Sequence, residues 1–201
     1  MPKGYNWHLA TRWKDPLFSD IPEFDHTTRG TAASQAGAFG DNNDGMAIFT
    51  DQDRHQILIA NNEYTNRSVM WGNNPDVKYA TDDDINKVKN ANGLTAVELK
   101  EIDGRWQIVK DSPYNWRFTP DEPMEITGPA RGHALMKTNA DPQGFTVLGT
   151  FNNCGNGRTP WGTYLACEEN FNGYFGTADP DSFTQDAAQK RYGVSGKDRG
   201  Y

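Results

Sequence analysis

The stretch NNCGNGRTPWGTYLACEENF, residues 152–171, holds both cysteines of the chain, Cys154 and Cys167, and places Glu168 and Glu169 directly after the second. A thiolate is a soft donor that suits iron or another transition metal, whereas carboxylates and Asn carbonyls alone suit calcium. On an extended strand the side chains alternate, so Leu165, Cys167 and Glu169 share one face while Ala166 and Glu168 share the other. Cys154 lies thirteen positions before Cys167, across a Gly-rich connection that can fold it back toward that strand. The residues alone leave three readings open. They are a disulfide stabilising the loop by about 3 kcal/mol in the chain-entropy model, a mixed thiolate and carboxylate metal site, and a pair of free thiols. The spacing matches no standard Cys/His zinc pattern.

Other residues of chemical interest are scattered. Glu63 in NNEYTN is either a metal ligand or a solvated strand end. FGDNNDG (39–45) is rich in oxygen donors but lacks the spacing and terminal Glu of an EF-hand, so it reads as an Asx turn leading into a strand. His133 in GPARGHAL suits a metal, a phosphate or plain packing, and Arg131 beside it suits an anion. Trp161 reads as an aromatic core anchor. No GxSxG elbow, Walker loop, HExxH or GxGxxG occurs, which disfavours serine-triad and P-loop enzymes.

The elements that must position these groups are short β-rich runs. GMAIFT (45–50) and QILIANN (56–62) form a hairpin with a charged tip, and LTAVELK (94–100) and RWQIVK (105–110) flank the strong turn signal Asp103-Gly104. FTVLGTFN (145–152) and GTYLACEE (162–169) read as a third pair around the connection 153–161. Helical signals are few: TAASQAGAF (31–39), and a capping box at Thr81 to Asp84 opening a helix through about Lys89. The tail 177–201 lacks apolar periodicity. LIANNEYTN (58–66) and YLACEENFN (164–172) echo each other, aligning Ala60 with Ala166 and Glu63 with Glu169. Repeated strand modules that end in carboxylates suggest propeller blades aimed at a shared axis.

Composition supports a turn-rich β protein. Only 35% of residues are apolar, while 20 Gly and 11 Pro supply turns rather than core. The net charge of −7 argues against binding nucleic acid or an anionic membrane, both of which need clustered Lys and Arg. No run is long and apolar enough for a membrane span, and the N-terminus MPKGYNWHLATRW lacks the apolar centre of a secretory signal.

Assembled in order, WKDPLF (13–18), FGDNNDGMAIF (39–49), NNEYTN (61–66), SPYNWRFT (112–119), ITGPARGHAL (126–135), LGTFNNCGNGRTPWGTYLACEENFNGYF (148–175) and RYGVSG (191–196) resemble the N-terminal part of the PhoX-type alkaline phosphatases. The resemblance spans nearly the whole chain. It implies an all-β fold, antiparallel meander blades of a β-propeller that is incomplete in this chain. Residues 1–201 would be the N-terminal portion of one phosphatase domain, with 177–201 a poorly structured or truncated tail and the remaining blades absent. It further implies iron (Fe3+) and calcium as cofactors, small phosphate monoesters as substrates, and export to the periplasm or beyond by the twin-arginine route. Cys154 matches the family's cysteine iron ligand and Glu169 a glutamate metal ligand. Glu63 and Glu168 are further metal candidates, and Arg131 and His133 are candidates for orienting phosphate. Cys167 becomes a passive neighbour. No side chain serves as catalytic nucleophile in this scheme; a metal-bound oxygen attacks phosphorus in line with the leaving alkoxide. The fragment alone is expected to be inactive. The competing expectations are a non-catalytic calcium-stabilised propeller scaffold and another propeller hydrolase of lactonase or phytase type.

Overall fold

The structure, a computed structural model, describes residues 1–71, 81–177 and 179–197. It is mostly antiparallel β. In the main sheet, β1 (Asn43–Thr50) pairs with β2 (Gln56–Asn62). After the one-turn helix α2 (Arg67–Met70) and α3 (Asp82–Ala91), β2 pairs in turn with β3 (Gly93–Ile102). Two short strands then share the far edge of β3. β4 (Arg105–Ile108) runs beside its end, across the Asp103-Gly104 turn, and β5 (Trp116–Phe118) runs beside its start. The first two expected hairpins therefore form, because alternation and turn chemistry agree locally.

The chain before the sheet covers one of its faces. Leu17 and Phe39 are fully buried there against Leu58, Ala60, Val97 and Leu99. Helix α1 (Ala32–Ala36) follows Thr31, which caps it through a capping box with Ser34, and α3 opens on the predicted Thr81–Asp84 capping box. Asn115 fastens the layers. Its Nδ2 donates to the carbonyls of Leu17 and Val109, and its Oδ1 accepts from the Glu98 amide.

The third expected pair is not formed. β7 (Thr146–Leu148) pairs instead with β6 (Pro123–Glu125), and β9 (Tyr164–Glu168) pairs with β8 (Asn153–Arg158), which is the supposed connection itself. The sequence NCGNGR has low strand propensity, yet tertiary contacts specify a strand. Asn61 Nδ2 donates to the carbonyls of Cys154 and Gly155, at 2.7 and 3.2 Å. Gly45 lets β1 approach so closely that a Cβ there would sit 2.7 Å from the Cys154 carbonyl oxygen. The true turn is Thr159 to Thr163, closed by their mutual backbone and hydroxyl bonds, and Trp161 at its tip is exposed rather than a core anchor. Within the described part of the tail one short helix forms. Helix α4 (Ala187–Tyr192) is capped by Asp186 with Gln189 and closed by Gly193 in the left-handed conformation.

Two buried lysines lie beneath this layer. Lys14 and Lys87 are 3% and 2% exposed, and Lys14 Nζ donates to Ser34 Oγ at 2.7 Å. Burial, with Lys87 nearby, pushes the Lys14 ammonium down to about 8. A cation whose folded pKa lies below its unfolded value weakens the fold while charged in both states, and stability recovers as pH rises from about 8 toward 10.5. The melting temperature is therefore expected to climb across that interval. Lys14→Met should flatten the climb and stabilise the neutral-pH protein by about 2 kcal/mol. Melting curves at closely spaced pH values check it, and an unchanged slope in the variant refutes it.

Candidate metal centre

Two hairpins, β1–β2 and β8–β9, open on the same device. Asn42-Asn43-Asp44-Gly45 precedes and enters β1, and Asn152-Asn153-Cys154-Gly155 precedes and enters β8. The first Asn of each adopts the left-handed conformation, with φ of 41° and 51°. Asn tolerates that region better than most residues because its short polar side chain bonds locally. A register shift follows the second Asn in each, between Asn43 and Met46 and between Asn153 and Asn156. The bulge re-aims the residue between, which is Asp44 in one copy and Cys154 in the other. Across each hairpin the residue after the return strand is a glutamate. The Glu63 amide donates to the Asn42 carbonyl at 3.0 Å, and the Glu169 amide to the Asn152 carbonyl at 2.8 Å.

Each hairpin thus contributes one donor from its bulge and one glutamate; Asp44, Glu63 and Cys154 converge, and Glu169 borders them beside the Cys154 thiol. One ligand atom each from Asp44, Glu63 and Cys154 lie within 4.8 Å of one another. The Cys154 thiol donates to Asp44 Oδ2 at 3.0 Å, and Glu169 is its other hydrogen-bonding neighbour. Asn152 Nδ2 donates to Glu63 Oε1 at 3.3 Å. Hydrogen bonding to carboxylates and desolvation lead the electrostatics of the group, and like charge adds to both. Hydrogen bonds to Glu169 and then Asp44 push the thiol up to about 12. Desolvation, then the charges of Asp44 and Glu169, raises the Glu63 carboxyl. Without a cation the group holds protons it would otherwise release, and a bound cation reverses that preference.

The structure separates the remaining candidates. Glu168 faces away from the cluster, its Oε1 accepting from Thr150 Oγ1 at 2.9 Å and from the Phe151 amide at 3.2 Å. Arg131 lies over the Phe145 ring at 3.7 Å with Glu125 as its ion-pair partner, and His133 Nδ1 accepts from the Leu135 amide to start the 3-10 turn Ala134–Met136. Both belong to the β6–β7 connection. Cys154 and Cys167 are both free thiols, so the disulfide reading is not realised. A second group, Asp51, Asp53 and His55, sits at the β1–β2 tip, where Tyr114 and His55 already bond Asp51.

Asp44 is the member that reading by motif misses. The backbone-bonding role expected of FGDNNDG falls to Asp41, whose Oδ1 accepts from the next amide, Asn42, rather than from the one two residues on that an Asx turn uses, and whose Oδ2 accepts from the Asn66 amide. The available signal is the pairing of NNDG with NNCG, which puts Asp44 where the second copy has Cys154.

Fold and site together define an antiparallel β protein whose matched hairpins bring two carboxylates and a thiol together, with a third carboxylate, Glu169, beside the thiol. The family model described as alkaline phosphatase PhoX matches residues 1–201, and the chain belongs to that family. The solved structure of Pseudomonas fluorescens PhoX in complex with vanadate, a transition state analogue, is similar to it at 44% identity and a TM-score of 0.90. That similarity covers 99% of this chain and 34% of the solved one, so the chain spans about a third of the relative's length. Comparison with curated proteins gives no match. Among the described residues, no helix is long and apolar enough to cross a membrane.

Proposed function

We propose that the chain supplies the first part of a metal-dependent phosphatase that hydrolyses small phosphate monoesters, with iron (Fe3+) and calcium as its cations. The observation that carries this reading is the convergence of Asp44, Glu63 and Cys154, with Glu169 beside the thiol, in a chain of the PhoX family. The donor set fits such a group. Three carboxylates suit hard cations, and the single thiol favours a transition metal over calcium alone. When bound, the cations would neutralise a phosphoryl group and activate water for in-line displacement. The chain's own residues do the holding: Asp44, Glu63 and Glu169 offer carboxylate oxygens, and Cys154 offers its sulfur after losing the proton now shared with Asp44 and Glu169.

Loading should therefore release protons, about one of them from Cys154 Sγ. An indicator dye in weak buffer reads this, and Cys154→Ala is expected to release about one proton fewer. Equal release from both proteins would refute the thiol's part. Glu168, Arg131 and His133 remain the further candidates, the first for metal and the others for phosphate. Arg131→Ala and His133→Ala test the phosphate role: a raised KM for p-nitrophenyl phosphate supports it, and an unchanged KM and turnover remove it. The sheets are read as blades of a propeller completed by the rest of the polypeptide, acting in the periplasm or outside the cell.

The deciding experiment measures p-nitrophenyl phosphate hydrolysis and the iron and calcium contents of the whole protein. Hydrolysis with bound iron supports the reading. Calcium without iron or hydrolysis points to the scaffold alternative, and preference for lactones or phytate points to another propeller hydrolase.

A further inference from the structure

Arg117 is 7% exposed and has no carboxylate partner among the described residues. A buried cation without a counter-ion needs another source of negative potential. Here it is the C-terminal end of α3. Nη2 donates to the carbonyls of Asn90 and Asn92 at 2.8 and 2.7 Å, where the helix exposes unpaired carbonyls and the negative end of its dipole.

The other arm of the guanidinium reaches the strands that carry the cluster. Nη1 donates to the Leu94 carbonyl at 2.8 Å, to Thr95 Oγ1, and to Asn62 Oδ1 at 2.5 Å. Thr95 Oγ1 also donates to Asn62 Oδ1, at 2.6 Å. With two donors on its oxygen, the Asn62 carboxamide has one favourable orientation, and its Nδ2 is left to donate to Asn43 Oδ1 at 2.8 Å. Gly40 closes the space behind, since a Cβ there would lie 2.3 Å from the Asn62 side chain. Asn62 and Asn43 directly precede Glu63 and Asp44.

We propose that Arg117 is a positioning residue which, through Asn62 and Asn43, fixes the two chain ends that present Glu63 and Asp44 to the metal centre. The metal half of this statement rests on the proposed function; the positioning half does not. The hydrogen-bond partners of Arg117 among the described residues are Asn62, Leu94, Thr95, Asn90 and Asn92 and include none of the four donors, so its influence passes through the two carboxamides. Lysine keeps the charge but lacks the two-armed fork that reaches five acceptors here, so it should rescue only in part.

The test uses the whole protein with Arg117→Met, Arg117→Lys and Asn43→Ala. Asn43 is exposed, so its replacement cuts the relay while leaving the Arg117 contacts in place and keeps the proposal testable if Arg117→Met folds poorly. In the metal-free protein, amide hydrogen exchange of residues 42–46 and 61–64 is expected to quicken at least about tenfold in Asn43→Ala and Arg117→Met, less in Arg117→Lys, with residues 97–108 unchanged in Asn43→Ala. Iron affinity, read by chelator competition, should fall about 10- to 100-fold in the same order. Unchanged exchange at 42–46 and 61–64 in Asn43→Ala overturns the proposal, as does quickening spread evenly over the sheet. Wild-type protein that takes up no iron defeats the metal reading instead, and the exchange data still decide the positioning role. Loosened exchange with wild-type iron affinity also overturns the proposal, because the positioned ends would then not serve the centre.

Discussion

Under the proposed function, Cys154→Ala in the whole protein is expected to leave a folded molecule that binds iron weakly and turns over p-nitrophenyl phosphate more than about 100-fold more slowly. That exceeds the roughly 10- to 100-fold loss seen when only an outer-shell partner of a ligand is removed. The fold should survive because its dependence on this position is through the backbone. Asn61 bonds the Cys154 carbonyl, and that bond does not involve the sulfur. What disappears is the soft donor that distinguishes the cluster from an all-oxygen calcium site. Cys154→Ser should do little better, because a hydroxyl loses its proton far less readily than a thiol and offers a hard oxygen in its place. Cys167→Ala is the matched control. That thiol is exposed, outside the cluster and without a disulfide partner, so its loss should change turnover less than about twofold, within the range of surface substitutions. Iron content and turnover measured on the three variants decide the matter. Full iron and full activity in Cys154→Ala would remove the thiol from the centre.

The sequence makes some of this legible and hides the rest for identifiable reasons. The hairpins at 45–62 and 94–110 are local: alternation, an Asp-Gly turn and adjacent partners all agree, and the structure forms both. Glu63 and Glu169 are legible because the echo preserves their distance from the ends of β2 and β9. Asp44 is hidden because a single acidic residue in an Asn- and Asp-rich run looks like turn chemistry, and Asp41 in the same run does bond backbone amides. Strand β8 is hidden because its specification is not local. Its glycines and asparagines earn a strand only through Asn61, Gly45 and Tyr164, the last donating its hydroxyl to the Gly45 carbonyl and to Asn61 Oδ1. With β8 occupying the edge of β9, β7 pairs with β6 instead. Strand alternation, legible in the sequence, puts Glu168 on the face opposite Glu169, and there it accepts from Thr150 and Phe151. Arg117 lies in the quoted motif SPYNWRFT, but nothing in that string shows that its acceptors are helix carbonyls.

Gly93→Ala is expected to destabilise the protein by more than about 3 kcal/mol, combining backbone strain with a collision that cannot relax. Gly93 adopts a φ of +99°, outside the range that side-chain-bearing residues favour. A Cβ there would also lie 1.9 Å from the Phe118 carbonyl oxygen and 3.2 Å from that of Thr150. The first of these is backbone, held by the pairing of Leu94 with Phe118, so relief requires parting β3 from β5. That movement would withdraw Leu94 and Thr95 from Arg117, whose bonds to both pass across the same pair of strands. It would also shift the Gly93 carbonyl, which accepts from Asn153 Nδ2 at 3.2 Å immediately before Cys154. Stability and the centre should therefore fail together, seen as a lowered denaturant midpoint and reduced iron uptake by the protein that remains folded. Gly155→Ala supplies the contrast: it lies next to Cys154, yet a Cβ there meets nothing within 4 Å, so it should be nearly neutral in both measurements. A Gly93→Ala protein with the wild-type midpoint would mean that β3 and β5 can part without loss, and that the close approach of Gly93 to Phe118 does not set the geometry beneath the four donors.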